Sequence, residues 1–388
     1  MIKSRVLWGL WLLLVTGFWL ITENYAGIFL LIVSVALPLL MAVFTWKAAG
    51  KIQAAFQAES FGDKGKSIKA GLILKNRSLF SLDRVICSVK CENLLTGEIY
   101  KPTLRVSVPG KTEICQELEF GSQHCGRMRL TLQRAVAYDF FGLFRFPIVC
   151  QGEGQTFIRP ETFGMEIGIA YGENMSLDSD EFSMVKAGFD PSETFAIREY
   201  RPGDRIRQVH WKLSEKFDEL MVRDYGLPIQ NTILLLLETG YEEGKQPRAD
   251  CMDALAEGIL SLAQELVQQQ ILFCIGWQNH EEGMFSCMEI NDIEELMEAM
   301  SGLLGAVPGV DEVSVLGHYL EGREQCESAH VVLFAPQRIE NAGMIADQAL
   351  VTEILCDIDG SGEEQEEGVH VISTIPENMK QDLNYLEI

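Results

Sequence analysis

Near the middle of the chain, Arg198, Arg201, Arg205, Arg207 and Lys212 face only Glu199 and Asp204. Guanidinium groups set side by side recognise carboxylates or phosphates through paired, charge-assisted hydrogen bonds. Pro202-Gly203-Asp204 is a strong turn signal. Asp204 is placed to cap a short helix running through Ile206 and Val209 into Trp211. Two readings of this segment stand. In one, the cations form a contact surface. In the other, Arg198, Asp204 and Arg207 pair with the protein's own carboxylates and brace the segment against its neighbour.

Other reactive residue types lack the spacing that chemistry requires. Gly65-Lys66-Ser67 has the end of a phosphate-binding loop, but Ser60 stands at the place of its first glycine and β-like sequence follows where a helix is needed. Neither a GxSxG elbow nor an HExxH pair occurs. The six histidines, at 124, 210, 280, 318, 330 and 370, show no i, i+4 pairing. His280, Cys287, His318 and Cys326 fit none of the usual zinc spacings. His210 beside Trp211 has no acidic or nucleophilic partner at a diagnostic distance. The residues therefore predict no enzyme and no cofactor.

The elements that must position this chemistry begin with two uncharged runs, Val6 to Thr22 and Ala26 to Trp46, joined by Glu23, Asn24 and Tyr25. Each is long enough to cross a bilayer as a helix, so residues 1–50 are expected to form a transmembrane hairpin. A cleaved signal peptide is a poorer reading of the first run, because a second span follows. Lys3 and Arg5 before the hairpin and Lys47 and Lys51 after it place both ends on the cytoplasmic side of the cell membrane.

Residues 51–162 alternate apolar and polar side chains in short stretches such as SIKAGLILKN and TLRVSV, which predicts a small antiparallel β-sandwich. Residues 163–230 are expected to be a connector bearing the Arg-rich segment. From 231 onward, TILLLLE, ILFCIGW, AHVVLFAP and LVTEILCDI read as buried strands alternating with helices at Ala249–Gln270, Asp292–Leu304 and Ile339–Gln348, an α/β domain with a mostly parallel sheet. The acidic stretch at 360–368 reads as a solvated loop. The chain carries 32 Lys+Arg against 56 Asp+Glu, a net charge of −24, which disfavours nucleic-acid partners. Its ten cysteines have no CxxC pair and read as small buried thiols.

The stretch from Arg198 through Tyr200, Gly203, Asp204, Arg205, Arg207, Trp211 and Lys212, continued by ELMVRDY, resembles the hallmark of the bacterial "domain of unknown function 58" proteins. YDFFGLF, Tyr138 to Phe144, is similar to the segment that closes the β-rich region in that family. The resemblance implies a C-terminal von Willebrand factor A-like domain and partnership with a MoxR-type AAA+ ATPase and a membrane transglutaminase-like protein. On that basis the protein is expected to be a membrane-held adaptor, with the lipid bilayer met through its two helices. Three departures stand out. Phe140 replaces a proline, and Lys216 replaces an arginine. Glu238-Thr239-Gly240-Tyr241-Glu242 occupies the place of a metal-binding Asp-x-Ser-x-Ser. Glu238, Thr239 and Glu242 retain oxygens that could hold a divalent cation, so a metal-dependent receptor is the alternative reading.

Overall fold

In the computed structural model, the described residues are 2–149, 152–168, 182–188, 190–199, 214, 221–228, 233–321, 328–339, 341–346, 348–356, 362–366 and 368–387. The chain divides into two compact units, Met1–Glu161 and Thr162–Ile388.

The first unit opens with helices α1 (Ile2–Thr22) and α2 (Tyr25–Ala49), both long and apolar enough to span a membrane. Asn24 caps α2 by accepting from the Ala26 N–H. The hairpin is pinned by its tryptophans: Trp11 Nε1 donates to Ser34 Oγ at 3.1 Å and Trp8 Nε1 to the Ser34 carbonyl at 3.3 Å. The outward surface is apolar, with Leu13 and Phe29 each 70% exposed. That composition suits hydrocarbon and not water.

At its end α2 enters the β-rich body, where Ala48, Ala49 and the following Ile52 join the core. In chain order the strands are β1 (Ile52–Ala58), β2 (Phe61–Asp63), β3 (Ile68–Asn76), β4 (Leu82–Asn93), β5 (Ile99–Tyr100), β6 (Thr103–Val108), β7 (Glu113–Phe120), β8 (Gly126–Tyr138), β9 (Arg145–Ile148) and β10 (Glu153–Arg159). One sheet has the order β1-β3-β7, and the other β2-β10-β8-β4-β5 with β6 on β4 and β9 on β8. Alternate residues of both sheets, among them Leu72, Leu74, Val85, Val89, Leu130 and Ile158, meet in one core. Period-two burial of this kind is what packs two sheets face to face.

The second unit contains β11 (Glu166–Gly168), β12 (Phe182–Gly188), β13 (Asp190–Glu199) and β14 (Met221–Pro228). The last three form an antiparallel sheet in the order β12-β14-β13. This corrects the expectation that 163–230 is a connector. Its glycine, serine and acidic content concealed strands whose pairing is irregular, with register shifts along β13.

The rest is an α/β body. Its elements are β15 (Ile233–Leu237), β16 (Gly240–Tyr241), α3 (Ala249–Gln268), β17 (Phe273–Asn279), β18 (Met284–Ile290), α4 (Ile293–Leu303), β19 (Gly309–Val310), α5 (Val315–Leu320), β20 (His330–Ala335), β21 (Leu350–Cys356), β22 (Gly362–Glu366), β23 (Val369–Thr374), α6 (Met379–Asp382) and β24 (Tyr385–Glu387). The main sheet runs β18-β17-β15-β20-β21-β23-β22, parallel from β17 to β23 with an antiparallel strand at each edge.

Both faces of this sheet are covered, which is why all five residues of β15 are buried. Leu234, Leu236, Val331 and Leu333 pack with Val315, Leu316 and Tyr319 on one face. On the other, Gly258 of α3 approaches the Phe334 ring so closely that an added Cβ would lie 3.0 Å from it. Two further expectations are corrected. The 360–368 stretch contributes edge strand β22, whose acidic residues suit an unpaired sheet margin. The helix expected over 339–348 is only a 3-10 turn, Ala342–Ile345.

Candidate functional site

Beyond the carboxyl ends of β15 and β17, the titratable side chains Glu238, His280, Asp311 and His318 come together. In sheets of this kind, ligand chemistry gathers where loops leave the strands' carboxyl ends. Here Glu238 directly follows β15, and its N–H donates to the Phe334 carbonyl at 2.8 Å. Thr239 Oγ1 then donates to the Gln278 carbonyl at 2.7 Å, tying the exit of β15 to β17.

The Glu238 carboxylate is folded back on the backbone. Oε1 accepts from the Gly240 N–H and Oε2 from the buried Val315 N–H, both at 2.7 Å. One side chain thus joins the end of β15 to the first turn of α5. Gly240 is required for this close turn, because a Cβ there would sit 2.9 Å from Glu238 Oε1. Burial pushes the Glu238 carboxyl up to about 7, against the two N–H groups, which favour its charged form.

Asp311 is the second hub. Its Oδ1 accepts from the Val313 N–H at 2.9 Å. Its Oδ2 lies 2.9 Å from His318 Nε2 and 3.5 Å from His280 Nδ1. The other nitrogen of His318, Nδ1, faces Glu321 at 3.6 Å. Burial opposes a charge on His318, yet the bond to Asp311 and the nearby Glu321 outweigh it and raise its pKa. For Asp311, burial is likewise overcome by His318, the Val313 N–H and His280, and the net direction is down. His280 goes down chiefly through burial, with His318 adding and Asp311 opposing. Gly309 lets its loop close over His280, since a Cβ would fall 2.5 Å from the His280 Cβ.

This arrangement binds four segments of the second unit together. Both oxygens of Glu238 accept backbone N–H groups, and both nitrogens of His318 face carboxylates. Acid–base work needs a titratable atom directed at a substrate. No such atom is offered by these two side chains.

The residues singled out in sequence are distributed unevenly. Glu238, Thr239 and Gly240 are buried or half-buried at the strand end, whereas Glu242 is exposed and pairs with Lys245 at 2.8 Å. Their oxygens do not converge: Thr239 turns to β17, Glu238 to α5 and Glu242 to Lys245. Among the described residues no group of three or more His, Cys, Asp or Glu side chains is placed to hold a metal ion. Arg198 lies in β13, where its backbone registers with Val222. Tyr200, Gly203, Asp204, Arg205, Arg207, Trp211 and Lys212 lie outside the described residues. His280 and His318 do meet, but through Asp311, with Cys287 away on β18 and Cys326 outside the described residues. Asp311 was missed because residues 280, 311 and 318 approach one another only through the fold. The one available signal was that Glu238 and His280 each directly follow an apolar strand.

No family model and no curated protein matches the chain. Among solved structures it is similar to the CARDB domain of a Pyrococcus furiosus protein, at 13% identity and a TM-score of 0.21, covering 28% of this chain and 87% of that one. It is also similar to a cohesin module from a Clostridium perfringens family 33 glycoside hydrolase, at 8% identity and a TM-score of 0.22, covering 29% and 99%. A β-glucosidase from Erythrobacter marinus matches at 9% identity and a TM-score of 0.20, covering 27% and 15%. Likenesses this weak carry no argument about function.

Proposed function

We propose that the protein is a membrane-anchored, non-enzymatic interaction module. Its two helices hold it in the cell membrane, its body lies on the cytoplasmic side, and its second unit serves as a von Willebrand A-like domain whose cation position has degenerated. The partner is a MoxR-type AAA+ ATPase that matures or remodels a client, with a membrane transglutaminase-like protein as a further associate. The partner assignment rests on the family resemblance of the 198–225 segment. The single observation that most favours a module over a cation receptor is Glu238, whose two oxygens are both taken up by backbone N–H groups. Two apolar helices leading into a β-rich unit, and then a mostly parallel sheet, agree with the anchoring and with the domain order.

Divalent cations discriminate the two readings. A cation bound only by the folded state at about 100 times its Kd adds about 2.7 kcal/mol of stability. We expect magnesium, calcium or manganese to leave the unfolding midpoint of the second unit where EDTA leaves it. A chelator-reversible rise, abolished by Glu238→Gln, would favour the receptor reading instead.

A further inference from the structure

We propose that the end of the β-sandwich beside the helices is itself a membrane-contacting surface, with turns 76–80 and 139–144 placing Leu79, Phe80 and Phe140 at the headgroup–acyl boundary of the bilayer. The inference builds on the reading that α1 and α2 span that bilayer.

Depth is fixed by contacts within the first unit. Phe80 stacks on Phe44 of α2, with ring centroids 4.3 Å apart and planes at 10°. Phe44 lies one turn, about 5 Å along the axis, before Lys47, at the level where an apolar span meets its flanking charge. The other turn is held to the start of α1. Arg5 Nε donates to the Leu143 carbonyl at 3.0 Å, and a Cβ on Gly142 would lie 3.3 Å from Ser4 Oγ. Because α1 and α2 form a hairpin, residues 4–5 and 44–47 mark the same membrane face. Both turns therefore sit at that face.

The exposed apolar side chains on these turns are held rigidly. Asn76, 1% exposed, donates from Nδ2 to the Phe80 and Val108 carbonyls and accepts at Oδ1 from the Ser78 N–H. Ser78 Oγ accepts from the Phe80 N–H. Asp139, 3% exposed, accepts at Oδ1 from the Phe144 N–H, and its carbonyl accepts from the Gly142 N–H. Gly142 has φ +69°, which the turn requires. Even so, Leu79 is 71% and Phe140 72% exposed. The hydrogen bonds at the flanking residues Ser78 and Phe80, and at Asp139, Gly142 and Phe144, hold the turns that present them outward.

The occupant that suits this rim is lipid. Lys3, Arg5, Lys47, Lys51, Arg77 and Lys111 are exposed in the same region. Aromatic and leucine side chains framed by basic residues are the chemistry of an interfacial contact with anionic headgroups. The surface is also continuous with the helices that enter the bilayer.

The test places the photoreactive amino acid benzoylphenylalanine, one position at a time, at Leu79, Phe140, Phe29 and Ile99 of the full-length chain in vesicles of phosphatidylcholine and phosphatidylglycerol. Ile99 is an exposed control, since its partner Glu92 lies ten residues of β4, roughly 30 Å, from Leu82. We expect lipid adducts at Leu79, Phe140 and Phe29 and none at Ile99. Adducts at Phe29 without any at Leu79 or Phe140 would overturn the rim and leave the anchor standing. No adduct at Phe29 would remove the anchor and the rim together. Cross-links from Leu79 or Phe140 to a second copy of the chain would assign the surface to self-association and overturn the lipid assignment.

Discussion

His330→Gln is expected to make the second unit about 3 kcal/mol less sensitive than the native chain to acidification from pH 6.5 to pH 4. His330 is 5% exposed on β20, and its Nε2 shares a 2.9 Å hydrogen bond with Thr352 Oγ1. Burial, with a smaller contribution from His370, holds its pKa down to about 4 from an ordinary 6.5. Between those values the unfolded chain binds a proton that the folded chain refuses, so stability falls as pH falls. Glutamine keeps a polar group for Thr352 but cannot titrate. Oxidation of Met252 and Met379 by peroxide across a urea series reports on this unit, since both are buried, at 1% and 2% exposure. Native and variant curves that shift in parallel with pH would show that His330 does not titrate as described.

Glu238→Gln is expected to have the opposite sign. The folded pKa of Glu238 is raised to about 7 from 4.5. In that window the folded chain holds a proton that the unfolded chain releases. Glu238 therefore contributes stability that is full below 4.5 and is lost as pH rises through 7, a swing of about 3 kcal/mol. The variant lacks this swing, so on acidification from pH 7 to 4.5 it should fall behind the native chain by that amount. The two residues oppose each other over nearly the same range, and each masks the other in the native protein. Only the variants separate them. An unchanged pH slope in Glu238→Gln would contradict the buried, backbone-bonded carboxylate.

Much of the architecture could be read from apolar patterning. The uncharged runs gave both helices because a membrane span demands length without charge. Continuous runs such as Ile233–Leu237 and His330–Ala335 identified strands buried on both faces. Asp292 was legible as the start of a helix, and it caps α4 by accepting from the Glu294 and Glu295 N–H groups. Backbone pairing was less legible. β13 and β22 carry acidic and polar residues through their length, and β12 has no regular apolar–polar alternation, so none of the three signals the ladder that holds it. The candidate site was half legible. Glu238 could be found by its place after a strand, but its bond to Val315, 77 residues away, depends on the fold. The Asp311 hub was hidden for the same reason.

The adaptor reading is tested most directly by affinity capture of the full-length protein from native membranes, with mass spectrometry, beside an Arg205→Ala/Arg207→Ala variant shown to remain folded. The expected result is enrichment of a MoxR-type AAA+ ATPase with the native chain and its reduction with the variant, which would also assign the Arg-rich segment to the contact surface. Capture that enriches no AAA+ ATPase with the native chain would contradict the proposed partnership.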